Sequence, residues 1–258
     1  MTLRICILEA DDLHPSLQET YLGFGDMFKR LFYAQDTTLQ LHVFNVVRGE
    51  YPAQDQHFDA YLVTGSKADS FANDPWIVTL RTYLQERFAC GDVLLGICFG
   101  HQILALALGG DTQRSDKGWG LGVHNYRLQA KPHWLEHELD HFQLLVSHRD
   151  QVIGLPEGAH VLASNEFCEH AAFIVGEQVL CFQGHPEFTA DFSRALLQLR
   201  ESMYCPQEYS AACQSLADRH DGALVTRWML SFIKAAHNQR NAAMTGLSSM
   251  QRASICLA

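Results

Sequence analysis

The chain has 258 residues, 47% of them hydrophobic, and a formal net charge of -10, with a mean hydropathy of -0.09 and an isoelectric point near 5.7. That length can bury a large α/β core, while an acidic balance without a basic stripe excludes a nucleic-acid footprint. No apolar run approaches the roughly 20 residues that cross a bilayer, and the opening Met1–Glu9 lacks a signal peptide's apolar core and cleavage site; the expectation is a cytoplasmic protein with no membrane partner.

In chain order, Leu3–Glu9 reads as a first strand. Ser16–Tyr33, broken by Gly23 and Gly25, carries helical spacing over its second half. Leu39–Val46 alternates like a strand, and Phe58–Thr64 is a third, ending at Gly65-Ser66. A polar loop leads to Pro75, which opens a helix to about Cys90. Val93–Ile97 is a short apolar run, read as a strand buried on both faces. From Phe99 to Leu108 the spacing turns helical, and Gly109-Gly110 stops it.

Beyond Gly110 the segments shorten. Trp119–Leu128, Phe142–His148, Val161–Asn165, Ala171–Val175 and Gln178–Gln183 are strand-like and separated by turn residues. Ala190–Met203 and Gly222–His237 return to helical spacing. The expectation is one α/β domain over residues 1–240: a mainly parallel central sheet flanked by helices, with additional antiparallel strands. Residues 241–258 show no period and read as a disordered tail. The eight cysteines are scattered, with no Cys-x-x-Cys pair, so free thiols are expected and metal ligation is not.

The most informative residue is Cys98, where a buried strand turns into a helix between Gly96 and Gly100. Such a corner exposes a nucleophile, and a helix N-terminus favours a thiolate there. Downstream, His185-Pro186-Glu187 follows an apolar strand, and the fixed φ of Pro186 makes a stiff corner that sets an imidazole beside a carboxylate. Candidate oxyanion donors are the N–H of Phe99 and the backbone at Gly65-Ser66. Each has a plainer reading: a core thiol, turn residues, a strand-to-loop corner. Their coincidence favours acyl transfer. A competing signal, His137-Glu138-Leu139-Asp140-His141 with His133 one turn before, fits the zinc-protease pattern. It is short, follows Pro132 and lies among strands, so a solvated connector is the preferred reading.

With Cys98, His185 and Glu187 assembled, the chain resembles the class I glutamine amidotransferases of the Cys-His-Glu type, over roughly Ala60 to Phe192. Leu95–Ala105 followed by Leu108-Gly109-Gly110 matches the nucleophile block. Ser147–Val152 with Leu155-Pro156 resembles the second block, and Gln183–Glu187 the third. Gly184 stands where many members carry an aromatic residue, and Thr64-Gly65-Ser66-Lys67 replaces a Gly-Gly-Pro turn. These departures, with the Asn73–Ile77 run, look like the stand-alone γ-glutamyl peptidase branch. The resemblance implies a flavodoxin-like sheet and attack by Cys98 on a γ-glutamyl amide through a thioester. It also implies substrate contacts from Gln102 and, more weakly, Ser147 and His148. No cofactor is expected. Two alternatives stay open. One is a glutaminase passing ammonia to a synthetase partner, since the stretch after the third block is too short for a fused synthetase and no phosphate loop appears. The other is a non-catalytic regulatory relative.

Overall fold

The computed structural model describes residues 2–135 and 139–246, the side chains of 241–246 excepted. The first half alternates: β1 (Arg4–Glu9), α1 (Pro15–Tyr21), α2 (Phe24–Tyr33), β2 (Gln40–Asn45), β3 (Ala60–Val63), α3 (Pro75–Ala89), β4 (Leu94–Ile97) and α4 (Phe99–Ala107). The second half is mostly strands: β5 (Asp111–Arg114), β6 (Gly120–Leu128), β7 (His141–His148), β8 (Asp150–Gly154), β9 (Ala159–Ser164), β10 (Ala172–Val175) and β11 (Val179–Phe182). Three helices close the chain: α5 (Ala190–Leu199), α6 (Pro206–Ser215) and α7 (Gly222–Gly246).

Nine strands form one sheet in the order β2-β1-β3-β4-β11-β10-β9-β6-β7, and β5 pairs with β8 in a separate ribbon. Pairing is parallel from β2 through β11 and antiparallel from β11 to β7. The parallel strands are apolar throughout because both faces are covered. Along β1, Ile5 and Ile7 pack with Phe28, Phe32 and Trp228 from α2 and α7. Cys6 and Leu8, on the opposite face, pack with Ile77 and Leu80 of α3 and Ile103 of α4. A third cluster joins Leu17, Phe24, Phe188, Phe192 and Leu196.

This is the expected α/β architecture, and the register of three strands positions the site. Val63 pairs with Gly96, and Phe182 with Ile97. Gly65, Cys98 and His185 therefore leave the sheet at the same carboxyl edge, where open α/β sheets bind ligands.

Some expectations need correction. Helix α7 continues to Gly246, six residues into the segment read as disordered. Ala242, Ala243 and Met244 are strong helix formers with no breaker before Gly246, so propensity carries the helix after amphipathic spacing ends. Residues 247–258 lie outside the described residues. The helix read over Ala190–Met203 stops at Leu199 and gives way to a 3₁₀ turn, Glu201–Met203. Strands β5 and β8 and helices α1 and α6 escape the sequence reading.

Candidate active site

Cys98 occupies a left-handed backbone conformation, φ 54° and ψ -102°, at the N-cap of α4. It and Leu22 are the only non-glycine residues with positive φ among the described residues, and such strain concentrates at functional corners. The corner closes because its neighbours lack side chains. A Cβ on Gly96 would lie 2.5 Å from the Gly100 carbonyl oxygen, and one on Gly100 would lie 2.2 Å from that of Val63. The Cys98 N–H donates to the Phe182 carbonyl at 2.9 Å, tying the elbow to β11.

His185 is brought alongside by the other half of the sheet. Its N–H donates to the Leu145 carbonyl at 2.8 Å, and its ring stacks on Phe188 with centroids 3.8 Å apart. The ring also lies against Gly65, where a Cβ would fall 2.7 Å from His185 Cε1 and 3.7 Å from Cys98 Cβ. Nδ1 sits 2.7 Å from Glu187 Oε1, a fully buried charge-assisted pair. Gly184 has a structural reason here, because a side chain in its place would meet Leu144 Cβ at 2.8 Å. Gly222 at the start of α7 presses on Pro186 and braces the same corner.

Burial, the largest influence, depresses the His185 pKa; the Glu187 carboxylate and the Cys98 sulfur outweigh it, raising the value to about 10. The imidazole is therefore protonated at neutral pH. Burial pushes the Cys168 thiol up to about 12 and also raises those of Cys6 and Cys181.

Backbone N–H groups around Cys98 are left without protein acceptors. The N–H groups of Gly65 and Ser66 donate to no protein acceptor among the described residues, and the N–H of Phe99 opens a helix, where no intrahelical acceptor exists. Cys98 lies in the wall of a cavity of about 320 Å³ that also includes Ser66, Gln102, Ser147 and His148. The Gln102 carboxamide nitrogen donates to the Asp150 carbonyl at 2.8 Å and to Gln183 Oε1 at 3.2 Å, which fixes it in place. Ser147 Oγ accepts from Arg200 Nη1 at 3.5 Å. His148 lies 3.2 Å from the Asp150 carbonyl through Nδ1, and burial lowers its pKa to about 3, so it lines the wall as a neutral ring.

Sequence reasoning missed Arg200 and Met203, which enter the same cavity from the break after α5. Their segment carries no motif; only the end of the helix turns them inward. Asp69 and Asp150 share Arg114, at 2.7 and 3.3 Å. Of the zinc-like pattern, His137 and Glu138 lie outside the described residues, and His141 begins strand β7 rather than continuing a helix. Among the described residues, no three His, Cys, Asp or Glu side chains converge as metal ligands.

The glutamine amidotransferase class-I family pattern matches residues 24–198. The chain is 30% identical over 193 residues to gamma-glutamyl peptidase 2 of Arabidopsis thaliana, covering 73% of this chain and 77% of that one. It is 31% identical over 183 residues to gamma-glutamyl peptidase 3 of the same plant, covering 68% and 73%. A glutamine amidotransferase crystal structure from Thermotoga maritima superposes with a TM-score of 0.73 at 16% identity, over 90% of this chain and 99% of that one.

Proposed function

The chain belongs to the class I glutamine amidotransferase family, and from that premise we propose that it is a cysteine hydrolase of γ-glutamyl amides, with Cys98, His185 and Glu187 as its triad. The observation that carries this reading is the strained Cys98 elbow beside a His185 held 2.7 Å from Glu187. The similarity to two gamma-glutamyl peptidases supports a γ-glutamyl peptide as substrate. The seven described cysteines are free thiols, which fits a reducing, cytoplasmic setting.

In this reading the Cys98 sulfur attacks as a thiolate while His185 carries the proton. The sulfur bonds to the γ-carbonyl carbon, and the π electrons move to the oxygen, stabilised by the N–H groups of Gly65, Ser66 and Phe99. Collapse re-forms the carbonyl and breaks the C–N bond, while His185 donates its proton to the leaving amine. The product is a γ-glutamyl thioester and a neutral imidazole. Water then loses a proton to His185 and attacks the thioester; collapse releases glutamate and restores the ion pair. Gln102, Ser147 and His148 line the space for the glutamyl group.

The test is glutamate release from glutamine and a panel of γ-glutamyl dipeptides, with mass spectrometry of the acid-quenched enzyme. Glutamate release together with a glutamyl adduct on the Cys98 peptide is expected. A chain inert alone that turns over glutamine only when a synthetase is added would replace this reading by an ammonia donor.

A further inference from the structure

A second cavity lies next to the first, and at about 540 Å³ it is larger. The two share Lys67 and Arg200 as walls. Its apolar surface comes from Leu13, Leu17, Phe24 and Leu196, all part of the third hydrophobic cluster. It opens at the carboxyl end of β1, whose neighbours β2 and β3 run out in opposite directions across the sheet. That is a topological switch point, the customary crevice for ligands in such sheets.

We propose that this cavity receives the amine side of the substrate, and that it selects γ-glutamyl peptides whose second residue has a large apolar side chain and a free carboxylate. The inference rests on Cys98 being the γ-glutamyl nucleophile. Three features specify the occupant. The floor is apolar, and Leu199 stands 39% exposed at its rim, with Met203 54% exposed at the rim of the first cavity. Exposed apolar side chains flanking the opening gain when an apolar group covers them. The second feature is charge. Lys67 is already neutralised, its Nζ 2.6 Å from Asp11 Oδ1 and its N–H donating to Oδ2 at 2.8 Å. Asp12 is likewise engaged by Arg48 at 2.8 Å. Arg200 differs: its guanidinium contacts the Ser147 hydroxyl and forms no ion pair among the described residues. Arg149 also lines the first cavity, stacked over Trp119, but Arg200 stands at the seam and is the cation without an ion pair that both cavities share. The third is capacity. The first cavity encloses Cys98 and suits the glutamyl group, so a substituent on the leaving nitrogen passes between Lys67 and Arg200 into the larger one.

The experiment compares kcat/KM for glutamine, γ-Glu-Gly, γ-Glu-Phe and γ-Glu-Phe carboxamide in wild type, Arg200→Gln and Leu199→Asp. In wild type γ-Glu-Phe should lead γ-Glu-Gly and its own carboxamide by roughly tenfold or more. Arg200→Gln should lower the ratio of γ-Glu-Phe to glutamine about tenfold and erase the preference over the carboxamide. Leu199→Asp should lower the ratio of γ-Glu-Phe to γ-Glu-Gly, and because that side chain is exposed, folding is retained. An equal fall on all four compounds would place Arg200 at the glutamyl group and overturn the subsite, as would turnover indifferent to the second residue. Calorimetry of Cys98→Ala with the same four compounds covers a chain that shows no turnover. Binding indifferent to the second residue refutes the subsite alone, and no binding of any compound refutes the γ-glutamyl reading as well.

Discussion

The two halves of the sheet contribute different things to one site. In our reading the parallel half, β2 to β4, supplies the nucleophile and the oxyanion donors, all from backbone corners after β3 and β4. In the same reading the half from β11 onward supplies the side chains that handle protons: His185 and Glu187 follow β11, which is parallel to β4 and antiparallel to β10, and the His185 N–H hangs on β7 at Leu145. The β4–β11 pair is the seam where they meet, with Phe182 beside Ile97. Backbone geometry is built where strands and helices alternate rigidly, while the titrating groups sit where hairpins bring distant residues under one ring.

If the halves act as a unit across the seam, removing either side should cost nearly as much as removing both. Cys98→Ala should abolish glutamate release, and His185→Ala should lower kcat by roughly 10⁶-fold. The double variant should be no worse than Cys98→Ala. Additive losses would mean that the two residues do not share a step. Glu187→Gln keeps the ring but weakens the charge beside it, so its loss should be smaller, roughly 10⁴-fold. Single-turnover kinetics on one γ-glutamyl dipeptide would rank all three.

A gentler perturbation asks how closely the halves must fit. Gly65 belongs to the parallel half, yet its missing side chain is what leaves room for the His185 ring. Gly65→Ala places a methyl 2.7 Å from Cε1, against a ring already held by the Phe188 stack and the Glu187 hydrogen bond. Displacement by a fraction of an ångström should cost on the order of tenfold to a hundredfold in kcat, with the thermal midpoint little changed. Full activity in Gly65→Ala would show that the ring has room to spare.

The same division separates what the sequence shows from what it hides. Cys98 is legible because a buried strand, two glycines and a helix start coincide within a few residues, and each has its own local signal. His185 and Glu187 are legible for a similar reason, with Pro186 between them. The ribbon β5–β8 is not: Asp111–Arg114 is short and polar, and only pairing with Asp150–Gly154 makes it a strand. Arg200 and Met203 are hidden more deeply, because helical spacing runs on through a segment that the structure breaks after Leu199. Local chemistry can be read from the chain, but the wall of a cavity is set by tertiary contacts that carry no motif.

The smallest expected effect concerns stability and contrasts two buried imidazoles that both adjoin β7. Burial holds His148 near 3, so it is neutral in the folded state while the unfolded chain takes up a proton below about 6.5. Its contribution is present above about pH 6.5 and fades as pH falls. His185 has the opposite sign: its pKa is raised to about 10, despite burial, by Glu187 and Cys98. Its contribution is complete below about pH 6.5, where both states are protonated, and is lost as pH rises toward 10. Removing the Glu187 charge should leave His185 less raised, so Glu187→Gln should have less to lose on the alkaline side. Urea midpoints of wild type and Glu187→Gln, taken from pH 6.5 to 10, should therefore converge or cross, with wild type falling further by on the order of 1 kcal/mol. The lysines, tyrosines and thiols are the same in both proteins and cancel in the difference. Parallel curves would mean that the carboxylate does not hold the ring's charge.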